Sequence, residues 1–219
     1  MNRRAPIRTI ILDFDGVLLE SNDDKMQAFE DLFALHSNFS DAMRAFHLAN
    51  YSRPRMIKFE HYVYHIMDRP GDENAVQEMA GQFSKMVTAR VIACRKVPGA
   101  AEFLEEFSKK VPLYISSTTP QEELIHIIEA RGMGHYFRDV FGDPPVKKAD
   151  AIQDVLQREQ LPPSAVVFVG DAVSDYRVAT EAKLQFLGRN SGLPFDGVGT
   201  KLYNDLAEIG DVLRTWIKE

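Results

Sequence analysis

The chain is poor in cysteine: Cys94 is the only one in 219 residues. A lone cysteine excludes an internal disulfide and, with it, the small secreted scaffolds that depend on such bonds. It also lacks a basic block. Lys and Arg number 26 against 32 Asp and Glu, a net charge of -6, and the two signs are mixed along the chain. That balance disfavours nucleic acid as a main partner. Long apolar runs are missing too. "MNRRAPIRT" leads into a hydrophobic stretch that Asp13 interrupts too soon for a signal peptide or a membrane span. Together these absences point to a cytoplasmic protein with no membrane association. The 45% hydrophobic content is enough for one good core and a smaller second unit.

What is present begins with "TIILDFDGVLLES" at Thr9 to Ser21, where an apolar run ends abruptly on Asp13 and Asp15. Three further strand-like runs follow: "VPLYIS" from Val111, "AVVFVG" from Ala165 and the weaker "LQFLG" from Leu184. The first two of these are nearly continuous in apolar residues, as strands covered on both faces are. Helical patterns lie between and after them, in "GAAEFLEEFSKK", "PQEELIHIIEARG", "KADAIQDVLQREQ" and "DLAEIGDVLRTWIKE". Alternation of this kind predicts an α/β fold, a Rossmann-like parallel sheet flanked by helices. Residues 18–94 break the rhythm, being polar, helical in pattern and far longer than a crossover needs. They are expected to form an inserted all-helical domain, with 1–17 and 95–219 forming the core.

In an open parallel sheet, ligands gather outside the carboxyl ends of the strands. The first strand delivers Asp13 and Asp15 there, the second Ser116, Ser117, Thr118 and Thr119, and the third Gly170, Asp171 and Asp175. A later helix opens on Lys147 and Lys148. Carboxylates bunched so closely call for a cation, and hard oxygen ligands suit Mg²⁺. A spare carboxylate can attack phosphorus, while a hydroxyl and an ammonium group serve the remaining phosphate oxygens. Phosphoryl transfer is the chemistry this set suits.

"DFDGV" at Asp13–Val17, a hydrophobic strand ending in Ser117, a lysine opening a later helix and "VGDAVSD" at Val169–Asp175 resemble the four motifs of the haloacid dehalogenase superfamily, in order. Asp15 matches the phosphatase-type members, since the dehalogenases lack the second acid. The resemblance implies that Asp13 is the nucleophile. It makes Asp15 the acid that protonates the leaving oxygen and later activates water, with its backbone carbonyl near Mg²⁺. Asp171 is implied as a metal ligand, and Asp175 as a ligand or the holder of a water in the metal's shell. Phosphate binding falls to Ser117, three residues before Pro120, with Ser116 as runner-up, to Thr118 beside it, and to Lys148 rather than Lys147. Residues 18–94 take the place of the family's helical cap, which closes over the core and reads the leaving group. Within "NYSRPRMIKFEHY", Arg55 and Lys58 become candidates for contacting an anionic substrate. The implied activity is a Mg²⁺-dependent phosphatase acting through an aspartyl-phosphate on a small phosphorylated metabolite, as a monomer or weak homodimer.

Competing readings exist for each feature. An acid pair after a strand is often a helix cap, "SSTT" a polar loop capping the helix at Pro120, and Arg53, Arg55 and Lys58 a solvated helix face. His61 and His65 have the spacing of a metal pair but no evident third ligand, which favours a packed or solvated pair. Cys94 is expected to be structural. Rival functions on the same motifs are a phosphosugar mutase, a carbon–phosphorus hydrolase using Lys25 or Lys58, and a non-catalytic binding module.

Overall fold

A computed structural model of the chain describes residues 5–50 and 53–217, so Tyr51 and Ser52 of the quoted cap stretch lie outside the described residues. The chain divides into two compact units, Met1–Glu20 with Arg95–Glu219, and Ser21–Cys94.

The first unit opens with β1 (Thr9–Leu12), whose four residues are all buried. The second unit follows at once. Its helices are α1 (Asn22–Leu35), α2 (Ser40–Ala49), α3 (Arg55–His61), a π-helical turn over Tyr62–Ile66, and α4 (Glu73–Ala93). Asp72 caps α4 by accepting from the Ala75 N–H at 3.0 Å. The interior is aromatic: Phe29 lies 4.3 Å from Phe83 and 4.1 Å from His47, and Phe33 meets Tyr62 edge-on at 5.7 Å. Arg44 on α2 and Arg90 on α4 bind Glu30 and Asp31 of α1. Burial pushes the His47 imidazole down to about 3, with the nearby Lys58 charge adding to the effect.

The chain re-enters the first unit at Arg95, whose carbonyl accepts from Glu20 N–H at 2.9 Å. There follow α5 (Ala100–Phe107), β2 (Leu113–Ser117), α6 (Gln121–Ala130), β3 (Asp139–Gly142), α7 (Lys148–Glu159), β4 (Val166–Gly170), α8 (Val173–Glu181), β5 (Gln185–Arg189), β6 (Leu202–Tyr203) and α9 (Leu206–Trp216). Among the described residues six strands form one sheet in the order β3-β2-β1-β4-β5-β6, and every pairing is parallel. Ile11, Tyr114, Phe141, Val166 and Phe168 of the sheet pack with Ile152 and Val155 of α7 and Ala179 of α8. Each large apolar side chain buried this way contributes about 1.5–3 kcal/mol.

β3 and β6 were not expected. β3 has four residues and begins on Asp139, and β6 has two, so neither carries the apolar run that marks the central strands. The first boundary between units falls after Glu20 rather than after Val17. Leu19 makes bridges to Asp15 and Lys96, and Leu18 accepts from Val97 N–H at 3.0 Å, which ties 18–20 to the core.

Candidate active site

β1 lies between β2 and β4, and Leu12 pairs with Ile115 on one side and Val169 on the other. One residue further, the Asp13 N–H donates to the Val169 carbonyl at 2.8 Å. The order reverses at β1, because β2 leads the chain to one edge and β4 to the other. That is where an open α/β sheet forms its crevice.

Asp13 is 8% exposed. Its Oδ1 accepts from the Phe14 N–H at 2.7 Å and its Oδ2 from Lys148 Nζ at 2.7 Å. Lys148, the first residue of α7, donates equally to Asp175 Oδ1 at 2.6 Å. The other Asp175 oxygen accepts from the backbone N–H groups of Asp171 and Ala172, each at 3.2 Å, so this acid fastens the turn that carries Asp171. Gly170 is required by this packing: a Cβ there would stand 2.4 Å from the Asp175 Cβ. Asp13, Asp171 and Asp175 have oxygens within 4.8 Å of one another, and they are the group of such residues found among the described residues.

The electrostatics follow from the burial. Desolvation pushes the Asp13 carboxyl up; Lys148 pulls it down, Asp175 and Asp171 push it up again, and the net position is well above the usual carboxylate range. Burial opposes the charge on Lys148, but Asp13 and Asp175 outweigh it and hold the ammonium above its ordinary range. Three carboxylates against one ammonium leave two negative charges. All-oxygen donors, three carboxylates set against one ammonium, and an acid pushed up by burial and by two neighbouring carboxylates fit a hard divalent cation.

Asp15 is half-buried, and its Oδ2 accepts from Thr119 Oγ1 at 3.0 Å. Gly16 follows in the left-handed region, φ 68°, where a side chain would be strained. Ser117 is buried, and its Oγ accepts from the Thr119 N–H at 3.1 Å. Ser116 Oγ is buried without a hydrogen-bond partner, and the Thr118 side chain is exposed. Lys147 is exposed, so of the two lysines only Lys148 joins the acids. Sequence reasoning singled out Ser117, Ser116 and Thr118 and gave Thr119 no role of its own; its hydroxyl contact to Asp15 joins residues 104 apart and has no local signal.

Arg55 and Lys58 do not form a solvated face. They are 9% and 3% exposed. Within the second unit, the Arg55 guanidinium lies 5.0 Å from the Phe83 ring centre and donates to Ser84 Oγ at 3.4 Å, and the Lys58 ammonium lies 5.1 Å from the Phe29 ring. Burial brings Lys58 down to about 7, with the Lys25 charge adding to the shift. His61 stacks on Phe46 at 3.6 Å and stands 4.9 Å from His65, a packed pair outside the acid cluster. Cys94 closes α4, its thiol donating to the Val91 carbonyl at 3.2 Å.

A doubly wound parallel sheet with acids and a lysine gathered at its switch point defines an α/β enzyme class whose chemistry is carried at the strand ends. The model of the haloacid dehalogenase-like hydrolase family matches residues 10–188, and the chain belongs to that family. A phosphoglycolate phosphatase from Photobacterium profundum is 29% identical over 99 residues, which is 43% of each chain; the chain thus aligns with less than half the length of this curated relative. Among solved structures, a predicted phosphoglycolate phosphatase from Haemophilus somnus 129pt superposes with a TM-score of 0.75 at 18% identity, covering 97% of this chain and 99% of that one. The putative hydrolase YfnB from Bacillus subtilis, solved bound to magnesium, superposes with a TM-score of 0.73 at 14% identity, covering 95% and 99%. Both likenesses concern the fold.

Proposed function

We propose that the chain is a Mg²⁺-dependent phosphomonoester hydrolase acting on a small phosphorylated metabolite, with phosphoglycolate the first substrate to try. One observation carries it: Asp13, Asp171, Asp175 and Lys148 converge within hydrogen-bonding or ligand-sharing distance at the switch point. The family membership and the phosphoglycolate phosphatase relative support it.

In this mechanism Asp13 attacks phosphorus as the bond to the leaving oxygen breaks, and Asp15 donates a proton to that oxygen. Asp15, now a carboxylate, takes a proton from water, which attacks the same phosphorus and frees Asp13 and inorganic phosphate. Thr119 orients the Asp15 carboxyl. Lys148 and the hydroxyl region of Ser117 and Thr118 meet the transferred phosphoryl oxygens, where charge builds in the transition state. Asp13, the Asp15 carbonyl and Asp171 would hold the cation, with Asp175 anchoring Lys148 and the Asp171 turn behind them. A bound Mg²⁺ supplies Lewis acidity and neutralises the acids. Arg55 and Lys58 of the cap are assigned to an anionic part of the leaving group.

Phosphate release from a panel of phosphomonoesters with Mg²⁺ tests the function. Turnover of at least one ester is expected. No release from any ester in the panel, including phosphoglycolate and a generic aryl phosphate, would overturn it.

A further inference from the structure

The Asp13–Glu20 turn is gripped from a strand two places away in the sheet. Arg189, the last residue of β5, is 6% exposed. Its Nη1 donates to the Gly16 carbonyl at 3.1 Å and to Glu20 Oε2 at 2.9 Å, its Nη2 to Glu20 Oε1 at 2.5 Å, and its Nε to the Asn204 carbonyl at 3.3 Å. The planar fork of a guanidinium can serve this set of acceptors, whereas a lysine ammonium cannot reach both ends. The turn it grips has its own closures, Gly16 N–H to the Leu19 carbonyl at 2.8 Å and Leu18 N–H to the Phe14 carbonyl at 3.0 Å. Arg189 thus adds a tether to the main chain one residue after Asp15, at a glycine whose backbone has the greatest freedom to move.

We propose that Arg189 is a positioning residue for Asp15: its fork on the Gly16 carbonyl and Glu20 fixes the turn so that the Asp15 carboxyl meets the leaving oxygen. This rests on the role of leaving-group acid given to Asp15 above. Asp15 is then held at two points, by Thr119 on its side chain and by Arg189 through its following peptide.

Leaving-group dependence separates positioning from scaffolding. An aryl phosphate such as p-nitrophenyl phosphate releases a stable phenolate and has little need of an acid, whereas an alkyl phosphate needs one. kcat/KM for each would be measured on the full chain with Mg²⁺, for the wild type, Asp15→Asn, Arg189→Met and Arg189→Lys, beside the melting temperature of each. Asp15→Asn should lose about 10²–10⁴-fold on the alkyl ester, the scale of general acid catalysis, and far less on the aryl ester. Arg189→Met should lose about 10–100-fold on the alkyl ester, the scale of a misplaced catalytic group, and stay within about threefold on the aryl ester. Arg189→Lys, which keeps the charge and loses the fork, should fall between. If Arg189→Met does not fold, Glu20→Gln loosens the same grip with the arginine in place and should show the same selective loss. Equal losses on both esters for the Arg189 and Glu20 variants, with Asp15→Asn selective, would overturn the proposal alone. Equal losses for Asp15→Asn would overturn the acid role and the proposal together.

Discussion

Each unit buries a lysine, and the two are moved in opposite directions. Lys148 in the core sits between Asp13 and Asp175 and is held charged. Lys58 in the inserted unit lies over the Phe29 ring, and burial brings it to about 7. The core assembles buried charge into a closed set of acids and ammonium that can receive a cation and a phosphate. The aromatic interior of the inserted unit makes buried positive charge costly, as His47, held neutral, shows again. Under the proposed function the two units would take separate tasks, chemistry in the first and substrate selection in the second.

The sharpest way to break that division is Asp13→Asn. An amide is a poor nucleophile, so phosphate release should fall by at least about 10⁴-fold on every ester, on the scale seen when a nucleophile is removed. Folding, followed by circular dichroism, should persist. Activity near that of the wild type would remove the covalent route.

Next in size is metal removal. Chelation should abolish turnover and Mg²⁺ restore it, with Ca²⁺ restoring it poorly because its longer, looser coordination misplaces the attacking carboxylate. Full activity in chelator would reject a cation at the three acids.

A third experiment sets core against cap directly. Lys148→Ala should lower kcat by about 10²–10³-fold on preferred and generic esters alike, as the loss of one electrostatic contact to the transferred group does. It should also lower stability by about 3–5 kcal/mol, since removing one member of a buried ionic set leaves its partners uncompensated. Arg55→Ala should instead raise KM for the preferred substrate, by about tenfold, with little change on a small aryl phosphate. Equal losses on both esters for Arg55→Ala would dissolve the contrast.

The smallest effect concerns stability and pH. Lys58 has a folded value of about 7 and an unfolded one near 10.5, so between those values the unfolded chain binds more protons. Stability should therefore rise with pH across that window on account of this group. Below about 7 the buried charge costs the most. Lys58→Met should raise the melting temperature at pH 6.5, and the advantage should shrink as pH approaches 10.5. An advantage that grows with pH would contradict the burial of Lys58 as a poorly solvated cation.

Much of this was legible in the chain itself. The central strands announce themselves because both faces are covered, so that their apolar runs are unbroken, and the acids after β1 and β4 stand out against them. Short edge strands such as β6 have no such run to display. Register between Lys147 and Lys148 needed the start of α7, which places one toward the acids and leaves the other exposed. Arg55 and Lys58 stand in the sequence as candidate substrate contacts or, as the competing reading, a solvated face; their burial depends on aromatic partners from α1 and α4, far away in sequence. Arg189 and Glu20, 169 residues apart, carry no local pattern that joins them.

The meeting of Glu20 and Arg95 has a kinetic consequence. β1 and β2 are neighbours in the sheet although the whole unit Ser21–Cys94 is threaded between them. Closing a flexible loop costs about 0.6 kcal/mol for each doubling of its length. If the inserted helices form first, from contacts close in sequence, the freely moving chain between the two strands shrinks to about a quarter, and the entropic cost of pairing them falls by about 1.2 kcal/mol. The inserted unit then acts as a folded clasp that hands β2 to β1, and variants that weaken its aromatic interior should slow formation of the distant parallel sheet.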